Sequence, residues 1–299
     1  MTPAARIPVY YSPAFNDVQH VWDSTKKHDH IHAALRARPD LPLTFLEPTP
    51  ATRDQLISIH DETYVDAVIT GEPRQLAQSN GFEWCPGMYR AVTFTNGGMV
   101  DAARAALRTG VAGVIASGFH HAESSRGMGF CTFNGLVLAA VELRRADLVR
   151  RVAILDLDYH YGNGQVEMIR RYGLNDYLEN YGVHRAQHAD EYLDLARAQV
   201  RRLLTWSPDL VLYQAGMDPH EHDALGGVPG MSAARLRARD GMVFEALRAA
   251  GVPVAFNMAG GYARDRAWLD GEGAVNPVVA LHVATFEEAC RVWTAPEAR

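Results

Sequence analysis

Residues 152–164 read VAILDLDYHYGNG. The first four are an unbroken apolar run of the kind that forms a buried strand. From there the pattern changes, and Asp156, Asp158 and His160 fall at every second position. Side chains alternate faces along a strand, so these three point the same way. Two carboxylates and an imidazole in a half-buried place repel one another, or hold protons, without a counter-charge. A strand that begins as core and ends this way predicts a site at its carboxyl end.

Similar apolar runs recur at 7–12, 43–48, 113–118, 209–216, 253–260 and 275–284. Amphipathic stretches separate them, at about 16–38, 54–70, 87–109, 132–149, 162–172, 190–206 and 232–250. Alternating strands and helices predict an α/β fold with a mostly parallel sheet covered on both faces. Ligands gather at the carboxyl ends of such strands. Here His120 and His121 follow the 113–118 run, Asp218 follows 209–216, and Gly261 and Tyr262 follow 253–260. Each is commonplace alone: an Asp-x-His at a strand end is usually a cap, a His pair a polar loop contact, a Gly-Gly-Tyr a turn. Together, at four strand exits, they read as a catalytic centre.

The chemistry follows from the donors. Asp158, His160 and Asp218 offer O, N and O ligation. Three protein ligands with an open position is the pattern of a catalytic zinc, and Fe(II) or Co(II) also fits. No GxSxG elbow is present, so a serine route has no support.

The bulk numbers exclude several classes. The 299 residues, 47% hydrophobic, contain no repeat, low-complexity tract or long linker, so 1–299 is expected to be one domain. A formal net charge of −6 carries no electrostatic footprint for nucleic acid. No apolar run approaches the roughly 20 residues of a membrane span. Three cysteines without a CxxC, and an N-terminus unlike a signal peptide, suggest a cytoplasmic chain.

Five ordered segments carry a resemblance: GFHHA (118–122), GMGFCTFN (127–134), DLDYHYGNG (156–164), QAGMDPHEHDALGG (214–227) and AGGY (259–262). The chain resembles, over about residues 8–285, the zinc-dependent histone deacetylase family, with its bacterial amidohydrolases, acetylpolyamine amidohydrolases and acetoin-utilization proteins. The resemblance implies an arginase/deacetylase fold: one three-layer domain around an eight-stranded, mostly parallel sheet. It implies zinc on Asp158, His160 and Asp218, with potassium a further candidate cofactor near Asp156. His121 would be the general base, His120 its electrostatic partner held by Asp156, and Tyr262 the donor to the substrate carbonyl. Gly129 and Phe130, with Gly260 and Gly261, would line the tunnel. The substrate would be an acylated amine, either a lysine side chain or a small molecule such as a polyamine. The oligomeric state is open.

Several positions depart from the family pattern. Asn163 stands where some members have Asp, which would leave His121 without a carboxylate partner. Tyr161 stands where many have a second His. After Gly164 no PGTG-like loop follows, and one helix is expected to run almost directly into the next, with a strand and a metal-site serine missing. Tyr177, Tyr181 or His184 would then supply the tunnel wall, and Glu83 and Trp84 a rim. His28 and His32, or His220 and His222, read as exposed or structural rather than as a second metal site. Two other readings are a dimetal ureohydrolase on the same fold and a catalytically impaired, ligand-binding relative. The ureohydrolase wants more bridging carboxylates than DLDYH and MDPHEHD provide.

Overall fold

A computed structural model of the chain describes residues 6–18, 27–262 and 277–294. Seven strands form one sheet: β1 Ile7–Tyr10, β2 Leu43–Leu46, β3 Val111–Val114, β4 Val152–Asp156, β5 Leu178–Gly182, β6 Leu210–Ala215 and β7 Val254–Met258. Their order is β2-β1-β3-β7-β6-β4-β5, and every pairing is parallel. The expected parallel α/β sheet is therefore present, with seven strands among the described residues rather than eight.

Alternation along the strands builds two cores. Val9, Ala153, Leu155, Val211, Tyr213 and Phe256 face one way. They pack on helices α1 (Lys27–Arg36), α8 (Ala189–Trp206), α9 (Ala233–Ala249) and α10 (Pro277–Thr294). Val114, Val152, Ile154, Leu212 and Ala255 face the other way. They meet α3 (Glu62–Thr70), α5 (Gly87–Thr109), α6 (Gly135–Arg145) and α7 (Asn163–Arg171). Short helices α2 (Arg53–Ile57) and α4 (Arg74–Ala77) lie on the connections. The central strands are buried along their whole length, as a sheet covered on both faces requires.

Three expectations are corrected. The stretch 275–284 is not a strand: its described part opens α10, which buries Val278, Val279, Leu281, His282, Thr285, Phe286 and Ala289 at helical spacing. The chain after Gly164 is not strandless, because Leu178–Gly182 adds to the sheet edge beside β4. The long helix at 16–38 is described only from Lys27, and a 3-10 turn occupies Pro13–Asn16; residues 19–26 lie outside the described residues. No helix among the described residues is long and apolar enough to cross a membrane.

Candidate active site

The exits of β3, β4, β6 and β7, neighbours at the middle of the sheet, bring their polar side chains to one place. Asp158, His160 and Asp218 stand there with their ligand atoms within 4.8 Å of one another. The backbone aims both carboxylates. Asp158 accepts from the His160 N–H at 2.9 Å and the Gly260 N–H at 2.8 Å, and Asp218 accepts from the Tyr159 N–H at 2.9 Å. A Cβ at Gly260 would lie 2.1 Å from Asp218 Oδ2, so only glycine lets the β7 exit back these acids. Both are buried, and burial together with the charge of Asp158 raises the Asp218 pKa. The two acids raise His160 to about 10, and its Nδ1 sits 2.8 Å from Asp218 Oδ2 and 3.3 Å from Asp158 Oδ1. Two buried acids bridged by a forced imidazolium form a donor set that fits a divalent cation, whose charge would replace that proton.

Asp156 does not join the trio. It is fully buried, and its Oδ2 faces His120 Nδ1 at 3.1 Å. Burial opposes charge on His120, yet Asp156, Asp158 and Asp218 outweigh it and push it up to about 9. The adjacent His121 goes the other way: burial, then the charge on His120, pushes it down to about 4. Asn163 sets its tautomer. The Asn163 amide nitrogen donates to Glu123 Oε1 at 3.0 Å, so its oxygen faces His121 Nδ1 at 2.7 Å. An amide oxygen only accepts, so Nδ1 carries the proton and Nε2 is left as a base.

The walls come from the 127–134 loop and the β7 exit. Gly129, at φ +53°, presses on the His121 ring: a Cβ there would sit 2.4 Å from His121 Cδ2. Phe130 stacks on Phe82, with centroids 5.1 Å apart, and its ring lies 6.0 Å from that of Tyr262. Burial holds the Tyr262 phenol well above its ordinary value, so it remains a donor, and Asp223 anchors its backbone N–H at 2.7 Å. Cys131 is buried, its thiol pushed up to about 12, which suits packing and not attack.

Four residues at the site escaped the sequence. Phe82 backs the wall by stacking on Phe130. Lys27, buried, donates to the Ala259 carbonyl at 2.5 Å and lies 5.8 Å from the Tyr262 ring. Burial pushes its amine down to about 8. Gln165 binds Asp156. Arg239 ties the two ligand-bearing exits together, donating to the carbonyls of Leu157 at 3.1 Å and Gly216 at 2.8 Å. The residues offered as replacement wall go elsewhere. Tyr177 lies under Arg144, Tyr181 donates to Glu179, and His184 packs edge-on to Tyr161 with centroids 4.6 Å apart. Trp84 donates to the Val68 carbonyl and so fixes α3. His28 faces Ser117 and His32 stacks on Tyr11, so neither builds a second metal site.

Comparison with known proteins decides the family. The histone deacetylase domain model matches residues 20–174 and 170–270. The chain belongs to the histone deacetylase family. An uncharacterized protein of the cyanobacterium Picosynechococcus is 31% identical over 75% of this chain and 80% of its own length. Histone deacetylase 2 of Arabidopsis thaliana is 29% identical over 74% of this chain and 64% of its own. A probable deacetylase of Methanothermobacter thermautotrophicus is 31% identical over 54% of this chain. The chain thus spans 64% of the Arabidopsis protein and 50% of the archaeal one. In fold, the crystal structure of the HDA15 HD domain aligns with a TM-score of 0.77 at 19% identity, over 99% of this chain and 91% of that one.

One histidine makes this deacetylase-family site sensitive to acid. His60 is buried, its Nδ1 3.0 Å from the Glu123 carbonyl, while Nε2 accepts the Asn134 N–H at 3.1 Å. It thereby ties together the two ends of the 123–134 segment, which follows His121 and carries Gly129 and Phe130. Burial pushes it down to about 4. Its unfolded value is near 6.5, so its contribution to stability is complete above that pH and is lost as pH falls toward 4. Urea unfolding at pH 7 and pH 4.5 should show wild type losing about 2–3 kcal/mol more than His60→Gln. Equal losses in both proteins would show that His60 is not the group responsible.

Proposed function

We propose that this domain is a metal-dependent amidohydrolase that removes an acetyl group from an amine nitrogen, the amine being a lysine side chain or an acetylated polyamine. One juxtaposition carries the reading: an O, N, O donor set, an imidazole with a free Nε2 whose ring lies 5.8 Å from that of His160, and a half-buried neutral phenol stand at neighbouring strand exits. Asp158, His160 and Asp218 would hold the ion, with zinc the best match to the donors and Fe(II) or Co(II) alternatives. When bound it supplies Lewis acidity and a water of lowered pKa.

The remaining work falls to the chain. His121 Nε2 takes the proton of the attacking water and later passes it to the departing amine, a dual role that imidazole suits. His120, charged through Asp156, sits 4.0 Å ring to ring from His121 and stabilises negative charge that develops beside it. Tyr262 donates to the carbonyl oxygen as it becomes an oxyanion. Phe130, backed by Phe82 and with its ring centroid 6.0 Å from that of Tyr262, offers an apolar face to a slender methylene stem, which both candidate amines possess. A cavity beside them, bounded by His120, Gly129, Phe130, Gly260 and Tyr262, is also lined by Asn96, Ser117 and Lys27. A dimetal ureohydrolase lacks support, because no other cluster of three potential ligands occurs among the described residues.

The test is a panel of acetyl-lysine peptide, N-acetylated polyamine, and butyryl and decanoyl analogues, offered to the purified protein with release of free amine measured. Turnover of at least one acetyl substrate, with decanoyl rejected, is expected. Absence of turnover on every member by metal-loaded protein would sink the reading.

A further inference from the structure

The family resemblance raises a monovalent cation beside Asp156, and the residues here do not fit one. Asp156 Oδ1 accepts the Asp158 N–H at 3.2 Å, and Oδ2 faces His120 and accepts from Gln165 Nε2 at 2.8 Å. The same Gln165 nitrogen donates to Asn180 Oδ1 on β5 at 2.7 Å. Gln165 is wholly buried in the first turn of α7. A Cβ at Gly162 would lie 2.5 Å from both Asp156 Oδ2 and Gln165 Nε2, so the backbone seals the pair from that side. On the β5 side, Gly182 pairs with Asp156 and carries no hydroxyl. A Cβ there would lie 2.7 Å from His184 Cε1, so the imidazole fills the space a side chain at 182 would take.

We propose that the Gln165 amide stands in for a monovalent cation, making it a positioning residue that holds Asp156, and through it His120, without potassium or sodium. A cation collects oxygens. Here the two oxygens that face each other, from Asp156 and Asn180, are joined instead by one nitrogen with two N–H bonds, one for each. The donor is covalently part of the helix that also carries Asn163, so the Asp156–His120 pair and the His121–Asn163 pair are set by the same turn. One atom speaks for a rival arrangement: Gln165 Oε1 is buried with no partner. Turning the amide over would satisfy nothing at Asp156 and would bring three oxygens together, a nest that demands a cation. The two arrangements differ in one measurable property, their response to ions.

The experiment compares thermal midpoint and kcat/KM of the metal-loaded protein in potassium, sodium and choline chloride at equal ionic strength. The proposal predicts the same midpoint and rates within about two-fold in all three, since only screening acts. Gln165→Glu places a second carboxylate against Asp156 and should make the midpoint rise with potassium or sodium but not with choline. A saturable, potassium- or sodium-specific rise in the wild-type midpoint would overturn the proposal, because an ion that binds only the folded state raises stability by linkage. A folded Gln165→Glu that ignores the ions would overturn it too. If Gln165→Glu does not fold, the wild-type comparison still decides. The kinetic arm rests on the deacetylase reading; the thermal arm stands even if no substrate is turned over.

Discussion

His121→Ala should lower kcat by about 10²–10⁴, the span that a positioned general base contributes. The expectation rests on the protonation pattern around the ring. Asn163 and Glu123 lock the amide so that Nδ1 keeps its proton, and the low pKa keeps Nε2 free over the neutral range. Among the described residues of the site no other base is so placed: His120 is held charged by Asp156, and Cys131 is a neutral thiol. Tyr262→Phe should cost about 10²–10³ in kcat with little change in KM, because its hydroxyl serves the oxyanion and not the ground state. The two variants separate roles. Steady-state kinetics in which His121→Ala retains kcat within ten-fold of wild type would show that the base lies elsewhere.

Asp218→Asn should abolish metal binding and leave the ion-free protein no less stable than ion-free wild type. Without an ion, Asp158 and Asp218 are buried acids facing each other across His160 Nδ1, and desolvation raises the Asp218 pKa. Asparagine keeps the shape and the hydrogen-bonding oxygen while removing a carboxyl that burial already disfavours as a charge, so the metal-free fold loses nothing. In wild type the ion supplies the missing charge, so loading at 1,000 times its Kd should stabilise the fold by about 4 kcal/mol. Differential scanning calorimetry before and after chelation reads both effects. A chelator should lower the wild-type midpoint by several degrees and leave Asp218→Asn unmoved. An equal shift in the variant would place the ion somewhere other than this trio.

The trio was legible because β4 announces itself. VAIL can only be core, and the following charges at alternate positions cannot all be solvent-facing. The other strand exits were read on the same logic, and each sits where expected. The edge strand was not. LENYG carries Glu179 and Asn180 in its middle and pairs on one side only, so its pattern looks like polar connection. Its neighbour relation with β4 is a tertiary fact, and Asn180 reveals its purpose only when Gln165 is seen against it. The 275–284 misreading has a different cause. An apolar run of that length suits a buried strand or a buried helix equally, and only the continuation through Phe286, Ala289 and Val292 carries the helical period. Arg239 and Asp240 stand in a charged helix segment that reads as surface. Both are fully buried, with Tyr213 and Thr285 donating to Asp240, and nothing in the local sequence marks that inward face. Phe82 was hidden by distance, since it reaches Phe130 from a loop 48 residues away.

The central claim is that one metal ion on Asp158, His160 and Asp218 supports deacetylation by this domain. The most direct test measures bound metal and acetyl-lysine turnover on a single purified sample, before chelation, after it, and after stepwise return of zinc. The account predicts turnover that falls with the metal and recovers as occupancy approaches one ion per chain. Full turnover from an ion-free sample, or recovery that requires two ions per chain, would contradict it.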